Sequence, residues 1–275
     1  MTNQRKKRLT VKKRNSKWWL LFVISGIVVI AAALYIYLPD FLDNLKSAQT
    51  YDDLRDSYVK APEGESGEEK EDWWLTDVFV NFEELRGENE DIIAWIRFDN
   101  TEETQIDYPV LYSGDNTEYL RKDLYGNEHT AGSIFLEGLN QPDFSAYYTI
   151  IYGHNMRDGS MFGSLDKYKE QSFWCENQFF TLYTENMVYR YQVFACQNAV
   201  NGGDVYKIGY KPGEEYQEFL DGLAEDSLID TGIHPDSSHK IMTLSTCTGD
   251  GYSRRFAVHA VCVDAQSTDT AGEQE

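Results

Sequence analysis

Cys247 closes an apolar, strand-like run, Ile241-Met242-Thr243-Leu244-Ser245-Thr246, and is followed by the polar, glycine-containing loop 248–253 and the cationic pair Arg254-Arg255. A thiol delivered at a strand end beside a loop is open to a ligand, and nearby positive charge favours the thiolate, its nucleophilic form. Strand alternation puts Thr243, Ser245 and Cys247 on one face, so the thiol has polar neighbours. Acyl transfer by such a thiol needs a proton acceptor and donor, the role histidine fills near neutral pH. Of the five histidines, His129, His234 and His239 stand in polar loop contexts and His259 lies inside an apolar strand. His154 differs, because it follows the apolar run 148–152 and opens the loop 153–160. The third role is a fixed cation that donates to a carbonyl oxygen as negative charge develops on it. Arg254 and Arg255 point to opposite faces of a strand, and the residues alone leave that choice open.

Elements must bring these side chains together. Short alternating apolar runs bounded by turn residues predict strands at 92–98, 106–111, 133–136, 147–152, 179–184, 188–200, 240–247 and 255–263. Eight strands in so short a stretch predict a mainly β fold, a closed barrel. Helices are expected at 82–86 and at 214–223, where Tyr216, Phe219, Leu220 and Leu223 recur at helical spacing behind Pro212-Gly213.

The 275 residues carry 25 basic and 46 acidic side chains, but the first 17 residues hold eight Lys or Arg and no acid. The acidic remainder would repel a phosphate backbone, which argues against a nucleic-acid partner. Trp18–Leu38 is uncharged for 21 residues, about 31 Å as a helix, matching a hydrocarbon core of about 30 Å. Basic residues stay cytoplasmic, so the N-terminus is expected inside and the acidic bulk outside. A cleaved signal peptide ending near Ala31-Ala32-Ala33 is the rival reading, but the apolar run continues to Leu38, beyond what a cleaved signal needs. The expected organisation is a basic segment 1–17, an anchor 18–38, an acidic stalk 39–74 with a helix over 41–59, a catalytic domain 75–264 and a polar tail 265–275. Four cysteines without a C-x-x-C pair suggest neither a disulfide scaffold nor a structural zinc site, and Cys196 and Cys262 read as buried free thiols.

Thr243-Leu244-Ser245-Thr246-Cys247 resembles the T-L-x-T-C signature of the sortases, and Tyr152-Gly153-His154-Asn155 with Met161-Phe162 resembles their histidine loop. The order His, Cys, Arg is also theirs, whereas papain-like enzymes place the cysteine first. The helical insert 214–223 and the segments 106–110 and 115–120 are similar to class B members. The resemblance covers about residues 75–264 and implies an eight-stranded sortase-type barrel with flanking helices. It implies a membrane-anchored cysteine transpeptidase of Gram-positive bacteria that uses no cofactor or metal. Its partners would be secreted proteins bearing a C-terminal sorting motif, of N-P-x-T or L/P-P-x-T-G type, and an amine acceptor on a peptidoglycan peptide or a pilin. The implied roles are Cys247 as nucleophile, His154 as acid and base, and Arg255, directly before Phe256, as the cation. Asn116, Leu120, Tyr152 and Ser245 are implied to line the peptide groove. The alternatives are a secreted cysteine peptidase that mainly hydrolyses and a pilin-polymerising sortase. An adhesin or pilin substrate would be expected to carry its own sorting motif and apolar tail, and the chain's last residues, Thr270-Ala271-Gly272-Glu273-Gln274-Glu275, have neither.

Overall fold

The computed structural model describes residues 18–60, 73–75, 78–247 and 253–268, without the side chains of residues 39, 40, 43–45, 47 and 247. The basic segment 1–17, residues 61–72 of the acidic stretch with 76–77, the loop 248–252 and the tail from 269 lie outside the described residues. In chain order the elements are α1 (Trp18–Tyr58), β1 (Val59–Lys60), β2 (Phe79–Val80), α2 (Phe82–Glu88), β3 (Ile92–Phe98), α3 (Thr101–Thr104), β4 (Asp107–Leu111) and β5 (Phe135–Leu136). They continue with β6 (Tyr148–Tyr152), α4 (Gln171–Glu176), β7 (Phe179–Tyr183), β8 (Met187–Val200), α5 (Glu214–Glu225), β9 (Ile241–Cys247) and β10 (Arg254–Ser267). The chain divides into one unit ending at Asp43 and a second from Asn44 onward. Within the first, Trp18–Leu38 is a helix long and apolar enough to cross a membrane.

Eight strands of the second unit close a barrel in the order β10-β8-β7-β3-β4-β5-β6-β9. The expected strands are all present, with altered ends. The 133–136 run pairs only at Phe135–Leu136, and β10 continues to Ser267, opposite Met187. Register shifts at His259/Ala260 and Cys262/Asp264 bend β10, which lets so long a strand follow the curved wall. The interior is aromatic: Phe98 stacks on Phe180 at 4.8 Å, and Phe180 on Tyr191 at 5.2 Å. Asp107 is a buried charge of this wall. Arg55 and Arg97 pair with it and Trp95 Nε1 donates to it at 2.6 Å, while burial raises its pKa against these partners.

Two helical segments close the outside. Tyr51 and Leu54, in the stretch expected as a solvated stalk, are buried, and Tyr51 packs edge-on against Tyr108 at 5.1 Å. In α5, Tyr216, Leu220 and Leu223 are buried at i, i+4 and i+7, and the Tyr216 hydroxyl donates to the Tyr147 carbonyl at 2.7 Å. For the site, the decisive pairing is that of β6 with β9. The two are parallel, with Tyr152 opposite Ser245, so both strands leave the barrel at one rim. β10 runs antiparallel to β9 and therefore begins at that rim.

Candidate active site

His154 stands two residues beyond the end of β6. Gly153 N donates to the Ser245 carbonyl at 3.1 Å, which extends the β6–β9 pairing up to the histidine. A Cβ at Gly153 would come within 2.7 Å of the buried Phe162 ring, so a larger residue there would push the loop off the barrel. The loop returns on itself through Phe162 N to the His154 carbonyl at 3.0 Å and an Asn155–Met161 bridge.

The imidazole is half-buried, with Nε2 2.6 Å from the Leu120 carbonyl oxygen. A carbonyl only accepts, so Nε2 carries a proton and the neutral ring keeps Nδ1 as its acceptor. Leu120 reaches this position because Gly132, at φ +54°, lies under it; a Cβ there would meet the Tyr119 and Leu120 carbonyl oxygens at 2.6 and 2.7 Å. Burial lowers the His154 pKa below its ordinary value. The hydrogen bond to Leu120 opposes that, and the positive charges of Arg121 and Arg255 add to it.

Cys247 is the last residue of β9, and its register partner is Arg255. Directly opposed residues of an antiparallel pair occupy positions on one face of the sheet, so Arg255 takes the register position facing Cys247, while Arg254 is exposed and opposite Val200. Arg255 is half-buried, and its Nη1 is buried with no hydrogen-bond partner among the described residues. A buried guanidinium nitrogen left without an acceptor is costly, and a carbonyl oxygen acquiring negative charge would satisfy it.

The four expected groove residues fall around this rim. Leu120 is exposed and supplies the carbonyl that holds His154. Asn116 is exposed, donating from Nδ2 to Glu137 Oε1 at 2.7 Å and accepting at Oδ1 from Gly138 N at 2.8 Å. The Tyr152 hydroxyl donates to Glu137 Oε2 at 2.8 Å, and its ring stacks on Tyr206 at 6.3 Å. Ser245 is buried, with Oγ 2.9 Å from the Tyr206 hydroxyl. Glu137 and Tyr206 thus belong to the same network, though the sequence reading passed over both. Glu137 carries a signal, an acid directly after the apolar run 134–136; Tyr206 ends the short 3-10 helix Asp204–Tyr206 and carries none.

The other histidines and thiols look different. His259 is fully buried, with Nδ1 2.8 Å from Thr243 Oγ1 and Nε2 3.2 Å from Gln197 Nε2, and burial pushes its pKa down to about 3. Burial lifts the Cys196 thiol to about 12 and the Cys262 thiol to about 11, which keeps both protonated.

A family model described as a sortase domain matches residues 100–263. Sortase B of Staphylococcus aureus is 33% identical over 172 residues, 62% of this chain and 69% of that protein. The crystal structure of sortase B from B. anthracis aligns with a TM-score of 0.67 at 30% identity, covering 82% of this chain and 99% of that one. A Staphylococcus aureus sortase B–substrate complex aligns with a TM-score of 0.66 at 26% identity, covering 81% of this chain and all of that one, 100%. The chain belongs to the sortase family. It is a class B-like cysteine transpeptidase, in keeping with the sortase B relatives and their shared barrel.

Proposed function

We propose that this transpeptidase cleaves a C-terminal sorting motif of N-P-x-T or L/P-P-x-T-G type after its threonine and joins the threonyl group to an amine of a cell-wall peptide. Cys247 Sγ attacks the threonine carbonyl carbon, and its proton passes to His154 Nδ1. Charge that develops on the carbonyl oxygen is met by Arg255. The C–N bond breaks, the leaving amine takes the proton from His154, and a thioester remains on Cys247. An incoming amine then attacks that thioester, gives its proton to His154 and forms the new amide, and the proton returns to the departing thiolate. One peptide bond replaces another, so the exchange is nearly balanced. The likeness to a sortase B caught with its substrate supports a peptide groove at this rim.

The observation that carries the reading is Arg255 Nη1, buried with no hydrogen-bond partner among the described residues, at the register position opposite Cys247 and near a histidine whose pKa Arg255 helps to lower. The charge pattern supports a single-pass topology: residues 1–17 in the cytoplasm, Trp18–Leu38 across the membrane and the barrel outside. The test uses the full chain in detergent with a fluorogenic sorting-motif peptide. Mass spectrometry should find the threonyl fragment on Cys247, and a glycine oligomer or diaminopimelate stem peptide should divert it from water to amine. Products unchanged by saturating amine, with unrelated peptides cleaved as well, would make the protein a hydrolase.

A further inference from the structure

Glu137, directly after β5, is a carboxylate only 7% exposed, and among the described residues no cation pairs with it. A buried carboxylate without a counter-charge is costly unless its oxygens are filled by donors. Three donors fill them: Asn116 Nδ2 at 2.7 Å and Leu139 N at 3.3 Å on Oε1, and the Tyr152 hydroxyl at 2.8 Å on Oε2. They come from different parts of the rim. Asn116 stands on the loop after β4 that also holds Leu120, and Tyr152 ends the strand that leads into His154.

The chemistry of these contacts is directional. An amide side chain can be turned end for end at little cost, but a carboxylate accepts only. Glu137 therefore forces Asn116 Nδ2 inward, and Gly138 N takes Asn116 Oδ1. The second Nδ2 hydrogen of Asn116 is thereby left for a ligand at the exposed rim. Likewise the Tyr152 hydroxyl is committed as a donor to Glu137, which fixes a ring stacked on Tyr206, and the Tyr206 hydroxyl in turn meets Ser245 two residues before Cys247. We infer that Glu137 is a positioning residue for peptide recognition: it sets the amide orientation of Asn116 and the hydroxyl orientation of Tyr152, and so the hydrogen-bonding face that the groove presents to a peptide. This rests on the proposed peptide substrate but says nothing about the chemical step.

Glu137→Gln tests it, because the Gln amide offers one acceptor oxygen where three donors converge on two. With the full chain, KM for the sorting peptide should rise about tenfold while kcat stays within about threefold. The same change should weaken peptide binding to a Cys247→Ala background about tenfold, a readout that needs no turnover. Iodoacetamide labelling of Cys247, followed on its own tryptic peptide, should keep its rate. Glu137→Asp and Tyr152→Phe each remove one reach of the network and should raise KM about threefold, which covers a Glu137→Gln chain that does not fold. A kcat loss at constant KM, or unchanged KM and Kd in folded variants, overturns the assignment. Peptide that binds the Cys247→Ala chain but is never cleaved by the intact one would instead reject the transpeptidation route and leave the Glu137 role standing.

Discussion

The rim and the wall of the barrel each hold a histidine and a cysteine, and they use the same physics to opposite ends. At the wall, His259 has both ring nitrogens engaged, by Thr243 and Gln197, and Cys196 donates to the Tyr168 carbonyl at 3.2 Å. At the rim, His154 has one nitrogen engaged by Leu120, and Arg255 holds a buried nitrogen with no described partner. Burial depresses both histidines. Burial therefore does not mark a working group; an unfilled hydrogen-bonding position beside it does, because that position is where a reacting atom can sit.

The contrast is broken most directly by deleting the thiols. Cys247→Ala should remove both cleavage and transfer in the peptide assay, whereas Cys196→Ala should keep turnover. A Cys196→Ala chain that folds and yet is inactive would erase the distinction. For the histidines, His154→Ala should lower kcat/KM by about 10²–10⁴, the usual worth of a positioned acid and base, and His259→Gln should leave it within about threefold.

The arginines come next. Arg255→Ala should cost about 10²–10³ in kcat, as losing one oxyanion donor does, and Arg254→Ala far less. If Arg254→Ala proves the more damaging, the register of β10 on β9 does not set the site.

Acid stability separates wall from rim without any substrate. The folded pKa of His259 is depressed, so its stabilising contribution is complete above its ordinary pKa of about 6.5. It is lost as pH falls toward about 3, since the unfolded chain takes up a proton that the fold refuses. That loss is about 1.4 kcal/mol per pH unit across the window, and denaturant titrations of His259→Gln should show a shallower acid slope than the parent. An unchanged slope would mean that His259 is charged in the fold.

The smallest effect is electrostatic. Arg121 lowers the pKa of His154, so Arg121→Gln should move the acidic limb of the kcat/KM profile to higher pH, and added salt should do the same to the parent enzyme. A limb that moves down would place the sensed group elsewhere.

Local pattern made much of this legible. An apolar alternating run followed at once by Cys247 or by Gly153-His154 has to be a strand that ends there, because a polar loop cannot continue the wall. The eight runs then leave closure as the way to avoid bare edges. Likewise, 21 uncharged residues match a bilayer whatever follows them. What the chain does not carry locally is who stands opposite whom. Arg254 and Arg255 are equivalent until β10 pairs with β9 and puts one of them across from Cys247. The Leu120 carbonyl has no side-chain signature at all, and it reaches His154 only because Gly132 leaves room beneath it. Glu137 meets Asn116 and Tyr152 across 21 and 15 residues of sequence, and Tyr206 meets Ser245 across 39. Sequence alone thus determined which strands end at a thiol or lead into an imidazole, since that depends on neighbours along the chain. Tertiary structure decided which donors and acceptors face each other, since hydrogen bonds act over about 3 Å of space and sequence separation says nothing about that distance.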